Sequence, residues 1–309
     1  MSTYESAAVL DNETGLLAGG WVACGSPADQ RLSGSEQKVL KLNMFDLTGE
    51  VAVVVGATGV LGGAIAEGLA TAGAKVAVVG RSSKRGEARV RSILEKGGRA
   101  EFFAADALNE GSLKTAREIL SSRLGNPTIL VNAAGGNDPR VTVTPENPFE
   151  KISIEDWREN FDLNLVGGAL LPCQEFGLPM KENRKGSIIN IASVAAHIPM
   201  SRVVAYSAAK AAVLNLTQFL AREWAPFNIR VNSITPGFFP GEQNRRLLFN
   251  EDGTVTQRGQ VIHNHTPMAR FGEPPELVGA AVFLASGKAS GFVTGIDLRV
   301  DGGFLSQSI

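Results

Sequence analysis

Tyr206 and Lys210 stand four residues apart in a stretch, 206–225, whose apolar residues recur with helical period. The phenol and the ammonium therefore share one face of a helix. A phenol with a free pKa near ~10 is a poor acid or base at neutral pH, and an adjacent cation that stabilises phenolate brings it towards the working range. Upstream, the run Ile189-Asn190-Ile191-Ala192 ends in Ser193, at the carboxyl end of an expected strand. Ligands bind at that end of open α/β sheets, so the Ser193 hydroxyl is placed to hold a reacting oxygen. A strand-end serine is often only a turn residue, and a Tyr and a Lys four apart are common. Their joint occurrence points to proton transfer at a carbonyl or hydroxyl oxygen.

A second group of residues is suited to binding. The apolar run at 51–55 leads into Gly56-Ala57-Thr58-Gly59-Val60-Leu61-Gly62-Gly63 and then a helical stretch. Missing side chains at such a strand-to-helix turn let a pyrophosphate approach the backbone of Gly56, Thr58, Gly59, Val60, Leu61 and Gly62 and the positive end of the helix. The next junction reads Val79-Gly80-Arg81-Ser82-Ser83-Lys84-Arg85, without the acid that holds the adenosine ribose of NAD. Arg81 can instead neutralise a 2′-phosphate, which favours NADP(H) and leaves NAD(H) possible.

These residues need elements to position them. Short β-rich runs at 51–55, 75–79, 100–104, 128–131, 187–191, 229–233 and 296–300 alternate with longer amphipathic segments. The pattern predicts one Rossmann-type, doubly wound α/β domain over 44–309, a parallel sheet of about seven strands with helices on both faces. Residues 1–43, rich in Gly, Ser, Asp and Ala without a sustained period, read as a flexible extension upstream of it. From Pro236-Gly237 to about Arg270 the alternation lapses, as expected of a mobile lid over the site at 237–270. The lid sequence, with Gln243, Asn244, Arg245 and Arg246, is polar enough to receive a carboxylate and hydroxyls, or to face solvent or a neighbouring subunit.

Thirty basic against thirty-one acidic residues give a net charge of -1, which argues against nucleic acid and anionic membranes and for a small-molecule substrate. Two cysteines, Cys24 and Cys173, suggest free thiols in a reducing compartment. With no signal-like start and no membrane-length apolar run, a cytoplasmic location is expected. His263 and His265 lack a completing carboxylate or thiol, so no metal is expected. His197 reads equally as a pocket or a packing residue.

At these motifs the chain resembles the classical short-chain dehydrogenase/reductase family, over residues 47–304. Tyr206-Ser207-Ala208-Ala209-Lys210 is similar to its Tyr-x-x-x-Lys, Ser193 to its serine, and Asn164 in Asn164-Leu165-Val166-Gly167 to its active-site asparagine. The resemblance implies that Tyr206 is the general acid/base, that Lys210 tunes it and reaches the nicotinamide ribose, that Ser193 orients the carbonyl, and that Asn164 supports a water relay. It further places Asp106 and Ala107 beside adenine. Asn132, Ala134 and Gly135 correspond to the Asn-Asn-Ala-Gly segment, and Pro236-Gly237 to the turn beside nicotinamide. A homotetramer is implied, with helix 276–285 and the tail near Phe304 as candidate interface. Departures are Val55 for the usual threonine, Val60 at the middle glycine position with Gly59 one residue earlier, and Ala133 for the second asparagine.

Gly135-Gly136-Asn137, the Gly-Phe-Phe…Gln-Asn-Arg lid, the segment from His265 to Gly272 and Val300-Asp301-Gly302-Gly303-Phe304 resemble the D-mannonate oxidoreductase (fructuronate reductase) subgroup. The implied reaction interconverts D-fructuronate and D-mannonate, with Asn137, Gln243, Asn244 or Arg245 on the substrate. Reduction of another ketone, such as a 3-oxoacyl thioester, and a non-catalytic dinucleotide-binding regulator are the alternatives.

Overall fold

In the computed structural model, residues 43–241 and 244–307 are described; apart from Asn43, the extension expected over 1–43 falls outside them. Seven strands, β1 (Val51–Val55), β2 (Lys75–Gly80), β3 (Arg99–Ala104), β4 (Ile129–Asn132), β5 (Gly186–Ile191), β6 (Ile229–Pro236) and β7 (Asp297–Val300), form one sheet. Every neighbouring pair is parallel, in the order β3-β2-β1-β4-β5-β6-β7. The expected doubly wound Rossmann architecture is therefore present. The chain winds outward in one direction from β1 and in the other from β4, which opens a crevice at the carboxyl ends of those two strands.

Alternation along the strands sends side chains to two helical layers. Ala52 and Val54 face a core with Ile65 and Leu69 of α1 (Val60–Thr71) and Ile93 of α2 (Ser83–Glu95). Val53 and Val55 face the other, with Leu113 and Leu120 of α3 (Glu110–Leu124). Two further helices carry the site: α4 (Ile154–Phe161), which widens into a π-helical turn over Asp162–Leu170 before α5 (Leu171–Asn183), and α6 (Val204–Trp224). Cys173, Phe176 and Met180 of α5 and Leu220 of α6 complete the second core.

Strand β6 runs three residues past its expected end because Ile234 and Pro236 still pair with Leu298 and Val300 of β7. The lid is a folded unit. Short helices α7 (Arg245–Leu248) and α8 (Gln257–His265) enclose a small apolar core of Leu248, Ile262 and Phe271, with Phe238, Phe249 and Val255 against it. Among the described residues this core is wholly apolar, so the polar character read from the lid's sequence does not extend to its interior. The segment 276–285, offered as an oligomer interface, buries Leu277, Ala281, Leu284 and Ala285, the last three in α9 (Val278–Ala285), in the first core beside α1. Phe304 is buried too, edge-on to Phe238. Much of the apolar surface of both segments is thus used within the chain.

Candidate active site

Ser193, Tyr206 and Lys210 converge at the carboxyl edge of β5. Extended backbone at Ser193 (φ -165, ψ 153) turns the chain out of the strand, and its hydroxyl caps the single 3-10 turn Val194–Ala196 by accepting from the Ala195 N–H at 3.2 Å. Tyr206 lies in the first turn of α6, half-buried, with Lys210 one turn on and 3 % exposed. Burial pushes the Tyr206 phenol above its ordinary value, and a hydrogen bond with Ser193 opposes that shift. The expectation that the ammonium lowers the phenol is not met here. Lys210 Nζ donates to the Ile191 carbonyl at 2.8 Å and stands 5.8 Å from the centre of the phenol ring, and burial brings Lys210 itself down to about 8.

Asn164 falls in the π-helical turn, a feature that often marks functional positions. Fully buried, it donates to the carbonyls of Gly136 and Asn160, both at 2.8 Å, and accepts from the Gly136 N–H at 2.9 Å. Asn160, which the sequence reading did not single out, adds a 3.1 Å bond to the Gly136 carbonyl. Gly135 and Gly136 take φ of 141 and 158, and a Cβ on Gly135 would come 2.5 Å from Asn164 Oδ1. Two asparagines thus clasp the loop after β4. Their spacing of four in an amphipathic segment was the available signal.

The residues present fit a nicotinamide dinucleotide. Gly56 has φ 88, and a Cβ there would sit 2.6 Å from the Ala134 nitrogen; one on Gly62 would sit 2.5 Å from the Gly56 carbonyl oxygen. Gly59, at the N-cap of α1, is less confined, with a nearest contact of 3.3 Å. Helix α1 begins with no side-chain cap and no acid in its first turn, so the N–H groups around Val60, Leu61 and Gly62 present positive potential to an anion. Thr58 packs against Gly80 at the end of β2, next to exposed Arg81. Ser82 caps α2 by accepting from the Arg85 N–H. Asp106 and Ala107 lie just past β3, where Asp106 Oδ1 accepts from Leu108 N–H at 3.1 Å. The amide of Asn132 faces inward and donates to Asn190 Oδ1 at 2.8 Å and to Cys173 Sγ at 3.3 Å, bracing β4 against β5. Ala134 backs the glycine turn, and Pro236-Gly237 ends β6 with the Gly237 N–H on the Val300 carbonyl at 2.9 Å.

The substrate candidates fare unevenly. Asn244 closes its own turn, accepting from Gly241 N–H at 2.7 Å and donating to the Phe239 carbonyl at 2.9 Å, so its amide is committed to the lid backbone. Arg245 is exposed and stacks over Phe249 at 5.3 Å. Gln243 lies outside the described residues. Asn137 donates to Thr142 Oγ1 at 2.6 Å, and its Oδ1 is buried without a partner among the described residues. A cleft of about 470 Å³ between the lid root and the end of β7, walled by Phe238, Phe239, Met268 and Arg270, includes none of Ser193, Tyr206 and Lys210. The His263 ring packs tilted against Phe271 and the His265 ring edge-on against Phe304, with centroids 4.1 and 4.5 Å apart.

Known proteins are similar to this chain over most of its length. The family described as enoyl-(acyl carrier protein) reductase matches residues 56–305. The uncharacterised oxidoreductase UxuB of Bacillus subtilis (strain 168) is 43 % identical over 271 residues, covering 85 % of this chain and 97 % of the relative. A structure of a candidate D-mannonate oxidoreductase from Haemophilus influenza with bound NAD superposes with a TM-score of 0.80 at 36 % identity, covering 85 % and 97 % of the two chains. A gluconate 5-dehydrogenase from Burkholderia cenocepacia J2315 in complex with NADP and tartrate gives 0.77 at 31 %, covering 86 % and 98 %. With its sheet order, its glycine turn and its Ser193, Tyr206 and Lys210 edge, the chain belongs to the short-chain dehydrogenase/reductase family and is an NAD(P)-dependent oxidoreductase acting on a CH–OH group or the corresponding carbonyl.

Proposed function

We propose that the protein interconverts a keto sugar acid and its hydroxy acid with NADP(H) favoured over NAD(H), D-fructuronate and D-mannonate being the pair. The observation that carries the reaction is the juxtaposition of Ser193, Tyr206 and Lys210 at the crevice edge. The bound cofactor supplies or accepts a hydride. In reduction, the Tyr206 hydroxyl gives its proton to the carbonyl oxygen as that oxygen gains charge, and the Ser193 hydroxyl donates to the same atom. Lys210 places a cation beside the phenolate that remains, and Asn164 fixes the Gly135-Gly136 loop under the site. Oxidation reverses each transfer.

The sugar-acid reading is supported by the relatives named for mannonate and gluconate chemistry and by the tartrate, itself a hydroxy acid, held by one of them. With the Asn244 amide committed to the lid backbone, Arg245 and Asn137 remain the described candidates for the substrate's polar end. Arg81 at the end of β2, with no acid beside it, supports NADP(H). The apolar core of the lid, together with the acyl-carrier family description, favours as second reading the reduction of a 3-oxoacyl thioester. The single domain over 44–309, a homotetrameric assembly and a cytoplasmic location belong to the same proposal; among the described residues no helix is long and apolar enough to cross a membrane.

Purified enzyme mixed with D-fructuronate and, separately, a 3-oxoacyl thioester, while NADPH and NADH absorbance are followed, tests it. Oxidation of NADPH with fructuronate alone is the expected result; turnover of the thioester alone transfers the assignment to the second reading.

A further inference from the structure

The turn that carries Ser193 is anchored at both ends. At its base the β5–β6 ladder continues through the Ala192 N–H on the Ile234 carbonyl, at 2.8 Å. Within it, Ala196 N–H donates to the Ser193 carbonyl at 2.9 Å and His197 N–H to the Val194 carbonyl at 3.1 Å, so residues 193–197 form one small closed unit. At its far end the His197 ring reaches across the sheet. Its Nε2 lies 3.1 Å from Asp297 Oδ2 and 3.3 Å from Thr235 Oγ1. A carboxylate only accepts, so Nε2 carries the hydrogen and donates to Asp297. The other carboxylate oxygen accepts the hydroxyls of Ser233 at 2.6 Å and Thr235 at 2.8 Å.

This network has features that packing of a stray histidine does not require. Ser233 and Thr235 stand two apart on β6 and so project to one face, and Ser233 lies opposite Asp297 in the β6–β7 register. Both hydroxyl residues are fully buried, and the His197 and Asp297 side chains are each only 19 % exposed, so water competes weakly for these bonds. Capping of the turn is already performed by the Ser193 hydroxyl, which leaves the imidazole no local backbone duty. Thr235 immediately precedes Pro236-Gly237, the turn in the position assigned to nicotinamide.

We infer that His197 is a positioning residue for the hydride-transfer reaction: bridged to Asp297 and Thr235, it fixes the Ser193 turn against the strand that ends in Pro236-Gly237. The distance between the hydroxyl that holds the reacting oxygen and the turn beside the hydride donor is then set by a polar bridge between β5, β6 and β7. The inference rests on the role proposed for Ser193, but not on the identity of the substrate.

Two variants and two readouts test it. His197→Leu removes the donor while keeping an apolar side chain; His197→Gln returns an amide N–H at similar reach. The expected result for His197→Leu is a loss in kcat of roughly 10- to 100-fold on any ketone that the wild type reduces, as a small misplacement of a reacting group produces, with NADPH affinity unchanged. Faster hydrogen exchange at the Ala196 and His197 amides should accompany it, and His197→Gln should recover most of both. Unaltered kcat and exchange in His197→Leu overturn the inference. So does a parallel fall in kcat, NADPH affinity and melting temperature that Gln does not rescue, since that pattern belongs to a general loss of fold. Exchange is read without substrate, so a wild type silent on fructuronate counts against the substrate assignment and leaves this readout to decide the bridge.

Discussion

Burial sets the two proton-handling groups against their charged forms, and the consequences differ. For Tyr206 the raised phenol stays protonated at neutral pH, ready to donate. Replacing it with Phe removes one oxygen and is expected to lower kcat by about 10²- to 10⁴-fold while NADPH binding, read by fluorescence titration, stays unchanged; a Phe variant with full turnover would displace Tyr206 from its role. For Lys210 the cost falls on stability. The unfolded chain holds the proton below 10.5 and the folded chain only below about 8. Stability from this group is therefore intact above pH 10.5 and is lost as pH falls from there through 8. That interval corresponds to about 3 kcal/mol, offset by about 1 kcal/mol for the bond to the Ile191 carbonyl. Lys210→Met should thus be inactive yet about 2 kcal/mol more stable at pH 7, with no gain at pH 11, as measured by denaturant unfolding at both values. A variant less stable at pH 7 would mean that the buried ammonium is better solvated than its surroundings indicate.

At the scale of elements, the altered glycine turn shows which of its positions carry the geometry. Gly56 combines a left-handed backbone with a Cβ site only 2.6 Å from the Ala134 nitrogen, whereas Gly59 has ordinary φ and a nearest contact of 3.3 Å. Gly56→Ala should cost about 3 kcal/mol of stability from backbone strain and overpacking together. Gly59→Ala should cost under about 1 kcal/mol, and the two denaturant midpoints compare them directly. Equal midpoints would mean that the turn relaxes around either methyl. Val60, at the family's middle glycine position, is the first residue of α1, a placement not visible in the sequence. Strand identities were legible because β1, β2 and β4 are continuous apolar runs bounded by glycine or polar residues. The Ser193, Tyr206 and Lys210 set was legible because helical spacing and strand-end position are local properties. Less was visible where contacts join distant segments. The clasp of Asn160 and Asn164 on Gly136 spans 24 and 28 residues, and the His197–Asp297 bridge spans 100. Asn244 misled for a related reason: an amide beside arginines suggests a ligand, yet here it completes a turn of its own backbone.

For the whole molecule, the strand order places the cofactor candidates that follow strands along one edge of the sheet. Gly56 and Gly62 follow β1, Arg81 follows β2, Asp106 follows β3, Gly135 follows β4 and Gly237 follows β6. A dinucleotide lying along that edge would touch segments from both halves of the winding, so its binding is expected to stabilise the fold as a unit, by about 2.7 kcal/mol at a concentration 100 times Kd. This converts cofactor choice into a stability measurement that needs no substrate. NADPH and NADH differ only in the 2′-phosphate, which under the proposed cofactor assignment would meet the end of β2, where Arg81 is exposed. At equal concentrations NADPH should raise the melting temperature more than NADH. Arg81→Ala should weaken NADPH about tenfold, roughly 1.4 kcal/mol, leave NADH unchanged and so close the gap. High salt should narrow it in the wild type, because the contact is exposed and screened. If NADH stabilises the wild type as much as NADPH does, the basic mouth of α2 is only a solvated helix start and NAD(H) becomes the assigned cofactor. The proton chemistry at Tyr206 is unaffected by that outcome, because the carboxyl end of β5 and the first turn of α6 that hold it lie on the other side of β1 and β4 from β2.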